Sequence, residues 1–161
     1  MLGSTSPHWN LERHQAARRS GMRLYFAFGC NMDRAHMARL CRGAEALGPA
    51  RLNHHQFFIA QAGYASIAPK RGAAVHGVLW KVTAAHLAKL DSYESVEDGL
   101  YQKAAIPVHH QEKLLRALAY VANDPRPGRP QPGYQQGVAA AARAWQLPEA
   151  YVRELETFLL T

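Results

Sequence analysis

Residues 23–29 (RLYFAFG) are apolar or aromatic almost without a break and end on a glycine, the pattern of a short strand buried on both faces. Asn31 or Asp33 then stands where an N-cap is needed for a helix over 33–41, whose Met37, Leu40 and Cys41 recur at helical spacing. Residues 46–52 and 56–60 predict two further strands with Asn53-His54-His55 between them. Residues 62–72 read as a loop or broken strand around Gly63 and Pro69. In 74–82 (AVHGVLWKV) the period of two puts Val78, Trp80 and Val82 on one face, the plainest strand in the chain.

Thr83 caps a short helix carrying Leu87 and Leu90, which runs out near Asp91-Ser92-Tyr93-Glu94. Residues 101–108 and 113–122 predict a hairpin about His109-His110-Gln111. The stretch 123–133 holds Pro125, Pro127, Pro130 and Pro132. Proline cannot donate to a ladder, so this stretch is expected to form an irregular lid or rim. Two helices end the chain. The first, 134–146, is alanine-rich; Pro148 opens the second, where Tyr151, Val152, Leu155, Phe158 and Leu159 form one apolar stripe.

Strands and helices are mixed without a regular βαβ alternation, so the fold class is α+β, as one domain over 22–161. Residues 1–21 are basic and lack periodicity; they are expected to be a disordered extension, either a flexible arm or residue translated from upstream of a start at Met22. They also lack the apolar core and cleavage site of a secretory signal, and the longest apolar runs are too short to span a bilayer. The expectation is a cytoplasmic protein with no membrane partner. With 48% apolar and 19% charged residues the mixture is globular, not disordered.

The formal charge of +7 comes from scattered positions, and no nucleic-acid-reading motif accompanies it, so no nucleic-acid partner is expected. Cys30 and Cys41 make neither a disulfide framework nor a metal pair. Adjacent histidines at 54–55 and 109–110 point to opposite strand faces and read as surface turns, so no metal or other cofactor is expected.

Two features carry chemistry. A strand, Gly29 and a capped helix leave backbone N–H groups free for a carboxylate or a developing oxyanion. Glu94, in LDSYES just past an amphipathic helix, becomes a proton-transfer group if partly buried. Around both, YFAFGCNM at 25–32 resembles the Y-G-S-N substrate loop of the γ-glutamylcyclotransferase family. GVLWKV at 77–82 and LDSYESV at 90–96 resemble that family's strand and its catalytic L-D-x-x-E-G-V segment. PGYQQG at 132–137 and WQLPEAYVREL at 145–155 resemble its later tyrosine segment and final helix.

The resemblance implies a small, largely closed mixed β-barrel with helices packed around it. It implies conversion of a γ-glutamyl amino acid or amine to 5-oxoproline and a free amine by intramolecular aminolysis, without a cofactor. Glu94 matches the catalytic glutamate; Tyr25, Phe26, Ala27, Phe28, Gly29, Cys30 and Asn31 match the substrate loop. Tyr101 and Tyr134 match substrate-contacting tyrosines. The partner implied is a small γ-glutamyl substrate, with a homodimer left open. Phe28, Cys30 and Ser95 depart from the family's tyrosine, serine and glycine, removing a hydroxyl, weakening a donor, and replacing the residue most tolerant of positive φ. Two rivals remain: a Cys30-nucleophile transferase, and a non-catalytic binding module on the same fold.

Overall fold

A computed structural model describes residues 21–160; the expectations for residues 1–20 lie outside that range. Five strands close into a mixed barrel: β1 (Met22–Ala27), β2 (Glu45–Ile59), β3 (Ala65–Thr83), β4 (Tyr101–His110) and β5 (Lys113–Ala122). Their order around the barrel is β1-β3-β2-β4-β5. Neighbours pair antiparallel except at the closure, where Tyr25 of β1 meets Leu118 of β5 in parallel. Four helices pack around it: α1 (Arg34–Leu40), α2 (Ala84–Tyr93), α3 (Tyr134–Ala144) and α4 (Glu149–Thr157). The class is α+β, as the sequence implied.

β1 pairs with both β3 and β5, and its Tyr25, Phe26 and Ala27 are buried in succession without alternating, so both faces of this stretch are covered. Gly77 of β3 lets β1 approach closely, since a Cβ there would stand 2.3 Å from the Ala27 carbonyl oxygen. The Thr83 cap is reciprocal: Thr83 Oγ1 accepts from the His86 N–H at 3.1 Å, and the Thr83 N–H donates to His86 Nδ1 at 3.0 Å. That bond leaves the His86 hydrogen on Nε2, which donates to the Arg42 carbonyl at 2.7 Å and ties α2 to the chain after α1.

Three predicted boundaries change. Residues 46–52 and 56–59 belong to one strand, β2, because Asn53-His54-His55 is a bulge and not a turn: His54 takes φ 58° and the register shifts between Asn53 and His55. The predicted loop 62–72 shortens to a turn after Ala60, and β3 begins at Ala65 and runs through Pro69, which lies opposite His55 in register. His109 and His110 belong to β4, paired with Leu114 and Lys113; the hairpin tip is Gln111-Glu112, both at positive φ as a two-residue turn requires. The two histidine pairs therefore sit in strands, not in turns.

The proline-rich segment is a brace for the β2–β3 turn. The Gly128 N–H donates to Ile59 O at 2.7 Å, the Gln131 N–H to Gly63 O at 3.0 Å, and Gln131 Nε2 to Ala62 O at 3.0 Å. A side chain at Gly128 would collide with Ala60 O at 2.4 Å. No residue of 123–133 lines the pocket described next, so the segment shapes that pocket through the turn it holds and does not act as its lid.

Candidate active site

The site lies where β1 leaves the barrel and α2 ends. After Phe28-Gly29 the chain makes a 3-10 turn, Cys30–Met32, with the Met32 N–H on Gly29 O and the Asp33 N–H on Cys30 O, both 3.1 Å. Asp33 then caps α1 through the His36 N–H at 3.1 Å. Of the two predicted caps, Asp33 is the one used. Asn31, 2% exposed, points inward, and its Nδ2 donates to Tyr25 Oη at 2.9 Å and reaches Glu94 Oε1 at 3.5 Å.

Glu94 is set by the way α2 stops. It is the C-cap; Ser95 follows at φ 53°, with its N–H on Ser92 O at 3.1 Å and the Val96 N–H on Asp91 O at 3.0 Å. This is the Schellman closure, which normally places glycine where Ser95 stands. The last turn of α2 is anchored from the barrel: Asp91 accepts from Tyr120 Oη at 2.6 Å and pairs with Lys103 at 2.9 Å. Tyr120 packs edge-on against Tyr25, centroids 5.7 Å apart, so the Glu94 turn and the β1 wall share one support.

Between them lies a cavity of roughly 230 Å³ walled mainly by aromatic rings. Glu94 lines it, and no arginine, lysine or histidine does. Burial without a cation pushes the Glu94 carboxyl up to about 7. Asn31 at 3.5 Å is too distant to offset that desolvation. The group is therefore divided between acid and base at neutral pH.

The phenols respond in the opposite sense. Burial first, then the Glu94 charge, raise Tyr25 and Tyr101 above the ordinary phenol range; burial also raises Tyr134. All three remain hydrogen-bond donors at physiological pH. Tyr101 donates to Ala65 O at 3.0 Å, and Tyr134 Oη accepts from Ala65 N–H at 3.1 Å, so both backbone groups of Ala65 are held by pocket tyrosines. Gly29 has φ −114°, outside the left-handed region, and a Cβ there would meet Tyr134 Oη at 2.6 Å and Ala65 Cβ at 3.1 Å. Its need for glycine is one of space.

Cys30 Sγ lies 3.3 Å from Tyr93 Oη. Burial raises its thiol pKa, and no histidine lines the pocket to take its proton, which argues against a thiolate nucleophile.

Tyr25, Phe26, Phe28, Gly29, Cys30, Asn31, Glu94, Tyr101 and Tyr134 therefore meet around one cavity. Ala27 does not: it is buried in the barrel, in register with Val78. Among the described residues no group of three or more histidine, cysteine, aspartate or glutamate side chains is placed to hold a metal ion. Nor is any helix long and apolar enough to cross a membrane.

A family model describing the AIG2-like family matches residues 74–155. The chain belongs to the AIG2-like family. The AIG2-like match takes in Glu94, Tyr101 and Tyr134, and stops short of the loop from β1. Relatives agree with the γ-glutamylcyclotransferase resemblance. The γ-glutamylcyclotransferase of Bos taurus is 28% identical over 147 residues, 83% of this chain and 77% of that protein. The human γ-glutamylcyclotransferase is 28% identical over 146 residues, with the same coverage. A solved γ-glutamyl cyclotransferase structure superposes with TM-score 0.78 at 26% identity, over 84% of this chain and 86% of that one.

Within this AIG2-like site, sequence reasoning missed Tyr64, Ala65, Tyr93, Leu100 and Tyr120 as lining residues. Tyr120 was reachable, since it falls within a strand predicted over 113–122. Tyr64 and Ala65 were not, because they lay in a segment read as loop.

Proposed function

We propose that this chain is a γ-glutamylcyclotransferase that releases 5-oxoproline and a free amine from a γ-glutamyl amino acid or γ-glutamyl amine. One observation carries the reading: a carboxylate held near pH 7 by burial, in an uncharged aromatic pocket, beside a turn whose leading N–H groups precede the first helical bonds. The relatives' names support the same reaction class.

The substrate's α-carboxylate and the developing oxyanion fall to backbone N–H groups of 29–31 and to pocket phenols, since no cationic side chain lines the cavity. Glu94 takes a proton from the α-ammonium; the freed amine attacks the γ-carbonyl carbon, forming the ring C–N bond. Glu94 returns the proton to the departing nitrogen as the original amide C–N bond breaks, and the ring nitrogen gives up a second proton along the same route. Of three ammonium hydrogens, one stays in the lactam and two leave with the amine. A carboxyl near 7 suits both directions of transfer, typically worth about 100- to 10,000-fold in rate. Holding the glutamyl chain folded supplies much of the remainder.

The test is 5-oxoproline release from a panel of γ-glutamyl dipeptides, glutathione and γ-glutamyl amines, with wild type and Glu94→Gln side by side. Release by wild type that falls at least 100-fold in the variant is expected. Equal release by both proteins would remove Glu94 from the mechanism.

A further inference from the structure

The interior of the pocket is made of buried groups, among them Tyr25, Asn31 and Tyr101, whereas its mouth carries Tyr64, Tyr93 and Leu100, which are 41%, 46% and 39% exposed. Among the described residues the other large exposed apolar side chains lie at the β4–β5 tip and in the final turn, so apolar exposure is concentrated at this opening. The rim is built. Tyr64 stands edge-on to Tyr134 at 5.2 Å, and its carbonyl accepts from the Ala60 N–H at 2.8 Å. Tyr93 packs on the His36 ring at 5.2 Å and touches Cys30. Leu100 is fixed at both backbone ends, its N–H on Ser95 O and its carbonyl receiving the Asn123 N–H, each 3.1 Å.

Resting on the cyclotransferase reading, the direction of the substrate follows. The glutamyl end, which needs the backbone donors of 29–31, occupies the interior, and the departing amine projects past Glu94 to the rim. We propose that Tyr64, Tyr93 and Leu100 form the leaving-group subsite, and that it takes an amine bearing an apolar body and no carboxylate. A carboxylate on the leaving group would sit in a pocket whose only charged side chain is Glu94, with no cation lining it. Like charges sharing one pocket without a cation disfavour one another. An apolar body instead covers the three side chains, an advantage of about 10- to 100-fold for a phenyl-sized group.

The experiment compares kcat/KM for γ-glutamyl-phenethylamine, γ-glutamyl-phenylalanine, γ-glutamyl-glycine and γ-glutamyl-glutamate. Wild type, Tyr64→Ser and Leu100→Ser are tested; both positions are exposed, so folding survives the change. The phenethylamine conjugate is expected to exceed the glycine and glutamate conjugates at least 10-fold, with that ratio falling several-fold in either variant. A flat panel, one in which γ-glutamyl-phenylalanine equals or exceeds the phenethylamine conjugate, or one led by γ-glutamyl-glutamate, overturns the subsite and leaves the cyclotransferase reading standing. Silence across the panel overturns the cyclotransferase reading itself. The subsite is then decided by calorimetric binding of the same four compounds to the wild-type protein, where absence of the phenethylamine preference overturns it.

Discussion

Two short segments face the same cavity and are constrained in opposite ways. At Gly29 φ is negative and space is the constraint; at Ser95 the backbone is left-handed, and a serine occupies the position all the same. The loop from β1 is fixed by close packing against Tyr134 and Ala65. The turn after α2 is fixed by its helix-end hydrogen bonds and by Asp91 on Tyr120 and Lys103. A glycine in a family motif thus has more than one physical meaning, and only one of the two here is negotiable. Steric exclusion is relieved only by trimming or moving the neighbours, whereas an αL conformation costs a non-glycine residue about 1–2 kcal/mol whatever surrounds it.

The largest effect should come from the turn. Burial raises Glu94 in the folded state from its ordinary 4.5 to about 7. The unfolded chain then ionises first, and stability falls as pH rises from about 4.5 to about 7, staying reduced above that. Glu94→Gln removes the penalty, so denaturant unfolding at pH 8 should show a gain of about 2–3 kcal/mol alongside lost activity. No gain at pH 8 would mean that the carboxylate is not desolvated.

Next comes Gly29→Ala, expected to cost about 1–3 kcal/mol by overpacking and to lower kcat/KM at least 10-fold. Tyr134→Phe removes the atom at 2.6 Å, leaving Ala65 Cβ at 3.1 Å and the ring carbon at 3.8 Å. The double variant should therefore recover stability relative to the sum of the singles, by at least about 0.5 kcal/mol in a double-mutant cycle. Additive losses would show that space is not the constraint.

Asp91→Ala cuts the tie between the Glu94 turn and the barrel, with an expected cost of about 1–3 kcal/mol as Tyr120 loses its acceptor. If the tie positions Glu94, kcat should fall more than KM rises. The smallest effect belongs to Ser95→Gly, which relieves the left-handed strain and should stabilise by about 0.5–1 kcal/mol in thermal unfolding. A loss of stability there would place the serine hydroxyl in a role beyond filling the turn.

Much of this was legible in the sequence, for definite reasons. Period-two and helical apolar spacing located β1, α2, the β4–β5 hairpin and both C-terminal helices, and Thr83 announced its cap. The barrel closure was not legible from pattern: a single parallel contact, Tyr25 with Leu118, joins strands far apart in the chain, and only the family resemblance implied it. β2 and the first part of β3 were hidden because a bulge at His54 and a proline at 69 interrupt the pattern while the pairing continues. Nine of the ten site residues read from motif meet at the cavity, Ala27 excepted. Tyr64 and Leu100, which carry the specificity argument, belong to no motif; they reach the mouth through the brace at 123–133 and the turn after Glu94.

The central claim is that Glu94, poised near neutrality, is the proton carrier. Its most direct test is the pH dependence of kcat/KM for 5-oxoproline release by the wild-type protein. Activity should rise with pH as the base ionises, with the acid limb inflecting near pH 7. An acid limb inflecting near pH 4.5, or one that persists unchanged in Glu94→Gln, would contradict the account.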